Sequence, residues 1–139
     1  LEANLPVLNY APLIFISALT GANVEKILPV ARALHQQAGL RVGTGELNRA
    51  VQEAIEQRAP RTRSSRRPPR VLYTTQVGVQ PPTFVLFVND PTAFSPNYRR
   101  FLINFLRQRF NFPEVPLRVY FRKRTRDKTR TSARTRRRR

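Results

Sequence analysis

The chain has 139 residues, 40% of them hydrophobic, which is enough for one ordinary domain or for one small domain and part of another. Lys and Arg number 26 against 8 acidic residues, and the formal charge of +18 favours a polyanionic partner such as nucleic acid or an anionic membrane. Cysteine is absent, which excludes disulfides and thiolate metal sites. His35 is the single histidine, so a histidine metal cluster is excluded and a catalytic histidine would have to be this residue.

The first predicted element is the apolar run Leu13-Ile14-Phe15-Ile16, which is typical of a buried parallel strand in an α/β sheet. A helix with one apolar face is predicted after it, from Val24, Ile27, Leu28, Ala31 and Leu34. Asn23 is expected to cap this helix, Pro29 to kink it or delay its start, and Gly39 to end it. One strand and one helix cannot bury each other, so this region is interpreted as the last αβ unit of a larger domain.

A second helix is predicted from Thr44, taken as its cap, to a point before Pro60. Its apolar stripe is Leu47, Val51, Ala54 and Ile55. Residues 58–70, RAPRTRSSRRPPR, are too rich in Arg, Pro and Ser to bury a core, which predicts a mobile basic loop.

An antiparallel hairpin is predicted between Val71 and Val88, with its turn at Gln80-Pro81-Pro82-Thr83, because proline cannot donate to a strand ladder. In the first strand, apolar residues at alternate positions are predicted to form the buried face: Val71, Tyr73, Val77 and Val79. The second strand, FVLFV, is nearly all apolar, as expected of a strand that is central or covered on both sides.

A third helix is predicted to begin at Ser95-Pro96, and Asn89-Asp90-Pro91 ends the strand before it. Its apolar stripe is Tyr98, Phe101, Leu102, Phe105 and Leu106. In the last predicted strand Leu117, Val119 and Phe121 alternate with polar residues. The order α-β-β-α-β from about Thr44 to Arg124 predicts a two-layer α+β module, in which two helices cover one face of a three-stranded sheet.

This order, together with the double-proline turn and the PNYRRFLINFLR helix, resembles the KH-like C-terminal domain of the Der (EngA) ribosome-assembly GTPases. The FISALTG segment looks like the last guanine-nucleotide motif of such a protein, and the VEKIL segment looks like the closing helix of its second GTPase domain. The resemblance divides the chain into four segments: a P-loop GTPase-domain remnant at 1–40, a KH-like domain at 41–124, the mobile loop at 58–70 within it, and a disordered basic tail at 125–139.

The resemblance implies a parent protein that binds GTP and magnesium, hydrolyses GTP and helps to mature the large ribosomal subunit. Ser17, Ala18 and Leu19 correspond by resemblance to the guanine loop of that parent. The chain contains no G-x-x-x-x-G-K-[ST], D-x-x-G or N-K-x-D motif, so alone it is expected to hold no cofactor and to be inactive, with Ser17 and Ala18 in an ordinary strand-to-helix turn. The implied partners are ribosomal RNA and the GTPase domains of the same protein, in a bacterial cytoplasm or a plastid stroma.

Ordinary KH domains clamp RNA with a G-x-x-G loop, which is missing near the hairpin and third helix of this sequence. RNA contact is therefore expected from basic residues that bind phosphates. The candidates are Arg61, Arg63, Arg66, Arg67, Arg70, Arg122, Lys123, Arg124, Arg126, Lys128 and Arg130. The aromatic residues Tyr98, Phe101 and Phe105 are assigned to the core because they recur at helical spacing.

Two further interpretations stay open. The chain could be a stand-alone basic ribosomal or nucleic-acid-binding protein with a KH-like core, and upstream sequence with two phosphate loops would decide against this. The tail could instead bind an anionic membrane surface, but it lacks an adjacent amphipathic anchor. No apolar run approaches the roughly 18 residues of a membrane span, and the chain start shows no cleavable signal, so no membrane partner is expected.

Overall fold

The structure is a computed structural model and describes residues 9–60 and 68–124. Its helices are α1 (Ile27–Ala38), α2 (Thr44–Gln57) and α3 (Pro96–Arg109), and its strands are β1 (Val71–Gly78), β2 (Thr83–Val88) and β3 (Arg118–Lys123). Short 3₁₀ turns at Val24–Lys26 and Pro91–Ala93 precede α1 and α3. The predicted α+β class and the α-β-β-α-β order from α2 to β3 are confirmed.

The three strands form one sheet in the order β1-β2-β3. β1 and β2 form the predicted antiparallel hairpin, and the double-proline turn joins them. β3 pairs with β2 in parallel, so α3 is the crossover connection that parallel neighbours require. The central position of β2 explains why its sequence is nearly all apolar.

Helices α2 and α3 cover one face of the sheet and form the core with it. The buried cluster comprises Leu47, Val51, Ala54, Phe84, Leu86, Val88, Ala93, Phe94, Tyr98, Leu102, Leu106, Phe112, Val115, Leu117 and Val119. Ile55, Phe101, Phe105 and Phe121 are only partly buried against this cluster. The stripes predicted for α2, α3 and β3 therefore all point into one core.

The other face of the sheet carries no helix of the described chain, and we call it the open face. In β2, Phe84, Leu86 and Val88 point into the core, so Val85 and Phe87 point the other way. Directly paired residues share a face. The open face therefore comprises Tyr73, Thr75, Thr83, Val85, Phe87, Arg118, Tyr120 and Arg122.

The predicted buried face of β1 is wrong. Tyr73 is 44% exposed and Val77 is 58% exposed, whereas Thr74 is fully buried. Register irregularities interrupt the β1–β2 pairing between Val71 and Tyr73 and between Gln76 and Gly78. Each irregularity changes which face the following side chains meet, so a single parity cannot describe this strand.

Two of the predicted helix caps are also wrong. Asn23 has a left-handed backbone with φ of 62° and makes no capping bond, and its amide instead donates to the Phe15 carbonyl at 3.0 Å. Gly43 is the N-cap of α2, and Thr44 is its first helical residue. The cap of α3 is confirmed, because the Ser95 hydroxyl accepts from the Tyr98 N–H at 3.2 Å.

The first described residues contain helix α1 but no strand. Residues 13–16 form no strand and have no ladder partner among the described residues, and Phe15 is 73% exposed. Helix α1 starts at Ile27, so Pro29 falls in its first turn, in agreement with the predicted late start. Its apolar side is largely in solvent, with Leu28 76% exposed, and only its C-terminal half reaches the core cluster, through Leu34 and Ala38.

Candidate nucleic-acid interface

Basic side chains gather where β1 begins and where β2 and β3 end. We call this region the basic end, and it comprises Arg70, Arg122, Lys123 and Arg124, all of which are exposed. The pairing of Val71 with Val88 and of Val88 with Lys123 brings them together. Four of the predicted RNA-contact residues, separated by about fifty positions in the sequence, therefore share one end of the sheet.

Asn89 holds the backbone of the basic end in place. Its side-chain oxygen accepts from the Arg70 N–H at 2.8 Å, and its amide donates to the Pro68 carbonyl at 2.9 Å. The Asn89 N–H donates to the Arg70 carbonyl at 3.2 Å, and the Arg124 N–H donates to the Val88 carbonyl at 3.3 Å. These backbone positions are fixed, while the charged side chains project into solvent.

The other predicted contact residues lie outside the described part of the chain: Arg61, Arg63, Arg66, Arg67, Arg126, Lys128 and Arg130. The first four precede Pro68 in sequence and the last three follow Arg124. Both of these described flanks are at the basic end. In sequence, each of the two Arg-rich segments is therefore continuous with a described residue at the basic end.

The arginines that flank the stripe of α3 are engaged within the protein. The Arg107 guanidinium donates to the carbonyls of Phe112, Pro113 and Val115 at 3.3, 3.2 and 2.8 Å. Burial lowers the pKa of Arg107, and the nearby Tyr10 opposes this shift. Arg109 pairs with Glu53 at 3.5 Å. Arg107 therefore orders the loop that follows the helix.

The aromatic residues of α3 pack inside the fold, as expected. Tyr98 is 4% exposed, and Phe101 and Phe105 lie against the core cluster. Burial raises the pKa of Tyr98 to about 12, an effect that the charge of Arg58 partly offsets. These rings are therefore not available for stacking with bases. The rings that are available are Tyr73 and Tyr120. Tyr120 lies opposite the apolar residues of β3, as its alternation predicts, whereas Tyr73 was missed because the pairing irregularities of β1 reverse the face that its alternation predicts.

Ser17, Ala18 and Leu19 form a tight exposed turn. The Ser17 carbonyl accepts from the Gly21 N–H at 2.9 Å, the Ser17 hydroxyl accepts from the Thr20 N–H at 3.2 Å, and the Ser17 N–H donates to the Ala22 carbonyl at 3.0 Å. Ala18 and Leu19 project from this turn into solvent. The turn offers backbone groups but no cradle for phosphates, so the described residues do not by themselves fit GTP.

No cluster of metal-ligating side chains occurs within residues 9–60 and 68–124. In the same ranges, no helix has both the length and the apolar character needed to cross a bilayer.

A set of contacts fastens α1 to the KH-like module, and we call it the junction. Gln37 and Glu114 form two hydrogen bonds, both of 3.0 Å, between the Gln37 amide group and the Glu114 carboxylate and N–H. The Gln80 N–H donates to the Ala38 carbonyl at 2.9 Å. After α1, the Val42 N–H donates to the Gln76 side chain at 2.8 Å and ties the connecting segment to β1. Because the bonds of α1 itself reach both the turn between β1 and β2 and the loop before β3, α1 is held at two places rather than hinged on one.

A known protein family matches the larger part of the chain. Residues 41–122 match the model of the KH-domain-like, C-terminal domain of EngA bacterial GTPase enzymes. The matched range contains α2, α3, β1, β2 and all of β3 except Lys123.

Curated relatives match over most of the chain. The GTPase Der of Halothermothrix orenii is 47% identical over 122 residues, which is 88% of this chain and 28% of that protein. The GTPase Der of Rhodopirellula baltica is 44% identical over 119 residues, which is 86% of this chain and 26% of that protein. The GTPase Der of a Synechococcus species is 44% identical over 135 residues, which is 96% of this chain and 30% of that protein. The chain thus spans less than a third of the length of these relatives.

Proposed function

The chain belongs to the EngA (Der) family through its KH-domain-like C-terminal domain, and we propose on this premise that it is the RNA- and ribosome-docking region of a GTPase that acts in assembly of the large ribosomal subunit. The observation that carries the proposal is the basic end, where Arg70, Arg122, Lys123 and Arg124 meet on the surface. Exposed arginines on an ordered backbone are suited to phosphate oxygens, because the guanidinium fork matches them in geometry and charge.

The proposed regulatory role is to connect nucleotide state in GTPase domains of the same protein to this surface. The unburied apolar side chains of the first described segment support such a partner: Leu13, Phe15, Ile16, Leu19, Val24, Ile27 and Leu28. Apolar side chains exposed together mark a surface that another protein surface covers. The same feature argues against the alternative of a stand-alone basic protein. The junction would transmit a displacement of α1 to the hairpin and to the loop before β3.

GTP and magnesium belong, in this proposal, to domains that precede the matched residues. Ser17, Ala18 and Leu19 would contribute backbone groups of the guanine loop to that site. We assign the protein to the bacterial cytoplasm, where ribosomal subunits assemble.

The experiment is co-sedimentation of the chain with purified large ribosomal subunits. A variant with Arg70, Arg122, Lys123 and Arg124 changed to Gln should lose most of its co-sedimentation. The matched control changes Lys26, Arg32, Arg41 and Arg49 to Gln, because these are one lysine and three arginines, all exposed, on and near α1 and α2 and away from the basic end. Equal loss in both variants would show that only total charge matters, and equal retention would remove the basic end from the docking surface.

A further inference from the structure

The open face of the sheet carries a compact aromatic surface. The Tyr73 and Phe87 rings stack with their centroids 6.0 Å apart and their planes at 29°. Tyr120 lies on β3, opposite Val85 and two residues before the partner of Phe87. The ladder spacing puts Phe87 and Tyr120 about 7–8 Å apart. Tyr73 and Tyr120 are 44% and 45% exposed, so both rings present a large part of their surface to solvent.

The charge on this face has one sign. Arg122 pairs with Phe87 and Arg118 pairs with Thr83, so one arginine lies on each side of Tyr120 along β3. Within residues 9–60 and 68–124, no acidic residue lies in a strand. Arg122 also belongs to the basic end, which makes the aromatic surface continuous with the phosphate-binding candidates.

We propose that the open face is a base-stacking platform for single-stranded RNA, on which Tyr73 and Phe87 receive one base, Tyr120 receives another, and Arg118 and Arg122 bind the adjoining phosphates. This inference rests on the proposed RNA-docking function and names its second contact surface. Exposed aromatic rings between cations fit unpaired bases, because every base has a π-face and each nucleotide carries one phosphate. Paired bases in a duplex keep their faces stacked on each other and cannot use such rings.

An acidic protein surface is the competing occupant. Its carboxylates would neutralise Arg118 and Arg122, but they would not stack on the flat rings beside these arginines. The continuity with the basic end favours RNA. A single RNA strand can extend from the arginines of the basic end onto the open face and meet positively charged residues along its whole path.

The test titrates the full chain with a single-stranded RNA decamer, with the same RNA annealed to its complement, and with inorganic polyphosphate. Tyr73→Ala and Tyr120→Ala should each weaken binding of the single strand by about 5- to 100-fold, the range for loss of one stacked base. The same variants should bind polyphosphate as the parent chain does. Phe15→Ala is the matched control, because Phe15 is an exposed aromatic residue outside the sheet. Thermal unfolding of each variant confirms that it is folded.

Tyrosine emission gives a second readout, since the chain has four tyrosines and no tryptophan. Bases stacked on Tyr73 and Tyr120 should quench this emission, whereas Tyr98 is buried and Tyr10 lies against Arg107, 4.3 Å from its guanidinium. The double variant Tyr73→Phe with Tyr120→Phe should keep its RNA affinity, because the rings remain, and should lose most of the quenching.

The outcomes separate the two proposals. A parent chain that binds neither RNA nor ribosomal subunits overturns the docking function, and the platform with it. A chain that binds RNA with undiminished affinity after Tyr73→Ala and Tyr120→Ala overturns the platform alone. Equal losses for RNA and polyphosphate exclude stacking. The GTPase domains of a relative can also be added to the chain as a separate protein. If Tyr73→Ala and Tyr120→Ala weaken binding to these domains but leave RNA affinity unchanged, the open face belongs to a protein partner instead.

Discussion

Asn48 shows how a single side chain completes the sheet at its outer edge. Its oxygen accepts from the Thr74 N–H at 2.8 Å, and its amide donates to the Thr74 carbonyl at 2.8 Å. β1 lies at the edge of the sheet, so these backbone groups face away from β2 and meet no other strand of the described chain. Asn48 therefore replaces a missing fourth strand at this position and links α2 to β1. No periodicity in the sequence identifies such a residue, because the pattern marks Asn48 only as polar.

Asn48→Ala should lower the free energy of unfolding by about 1–3 kcal/mol. The substitution leaves the N–H and carbonyl of Thr74, a fully buried residue, without their partner. Urea unfolding followed by circular dichroism measures the change. Gln52→Ala, at an exposed position of the same helix, is the control for helix propensity. A loss no larger than that of Gln52→Ala would mean that water satisfies the edge of β1 instead.

Tyr98→Phe should raise the free energy of unfolding at pH 7 by about 1 kcal/mol. The Tyr98 hydroxyl is buried and has no hydrogen-bond partner among the described residues, so its removal relieves an uncompensated desolvation. Burial raises the pKa of Tyr98 from 10.0 to about 12. The free energy of unfolding is unaffected by this group below pH 10 and falls as pH rises from 10 to 12, because only the unfolded chain then releases the proton.

The loss should amount to about 1.4 kcal/mol per pH unit across that window. Thermal unfolding between pH 9 and 12 should therefore show a smaller alkaline loss for Tyr98→Phe than for the parent chain. Identical curves for Tyr98→Phe and the parent would show that the phenol is hydrated in the folded state.

At the scale of elements, periodicity predicted the type of each helix and strand from α2 to β3 but not how they are arranged. The 3.6-residue stripes of α2 and α3 and the alternation in β3 correctly identified core residues such as Leu47, Leu106 and Val119. The parallel pairing of β3 with β2 depends on contacts between distant residues and left no local signal. The irregularities in β1 reversed the predicted face of that strand for the same reason, since they are properties of a pair of strands.

Leu106→Ala should destabilise the protein more than Phe105→Ala, although the sequence places both in the stripe of α3. Leu106 is fully buried, and its truncation should cost about 2–5 kcal/mol through lost burial and the cavity left behind. Phe105 is only partly buried at the margin of the core cluster, so its truncation should cost less than the roughly 3–5 kcal/mol typical of a buried Phe. Chemical denaturation of the two variants decides the order. A larger cost for Phe105→Ala would show that its ring closes the core.

At the scale of the whole molecule, two positive regions and one apolar region divide the described surface. The basic end and the open face lie on the sheet, whereas most of the exposed large hydrophobic residues lie between positions 13 and 28. The sequence predicted the positive charge and that the first segment cannot bury its own apolar residues. It did not predict that Arg70 and Lys123 meet, because only the register of the strands brings them together. RNA and protein partners would thus use separate surfaces of one small module.

Removing residues 125–139 should weaken binding to different RNAs by similar factors. The removed sequence is rich in Arg and lacks aromatic residues, so it can neutralise phosphates but cannot stack on bases. Each phosphate of a single-stranded RNA that the truncated chain no longer neutralises should reduce the slope of log affinity against log salt by about 0.7. Binding of two unrelated single strands is measured across a salt series, with and without these residues. Tyr120→Ala is the complementary variant, since a stacking residue should lower affinity and leave the slope unchanged. An unchanged slope after truncation would show that residues 125–139 do not touch phosphates, and a weakening confined to one RNA would show that they recognise a particular RNA structure.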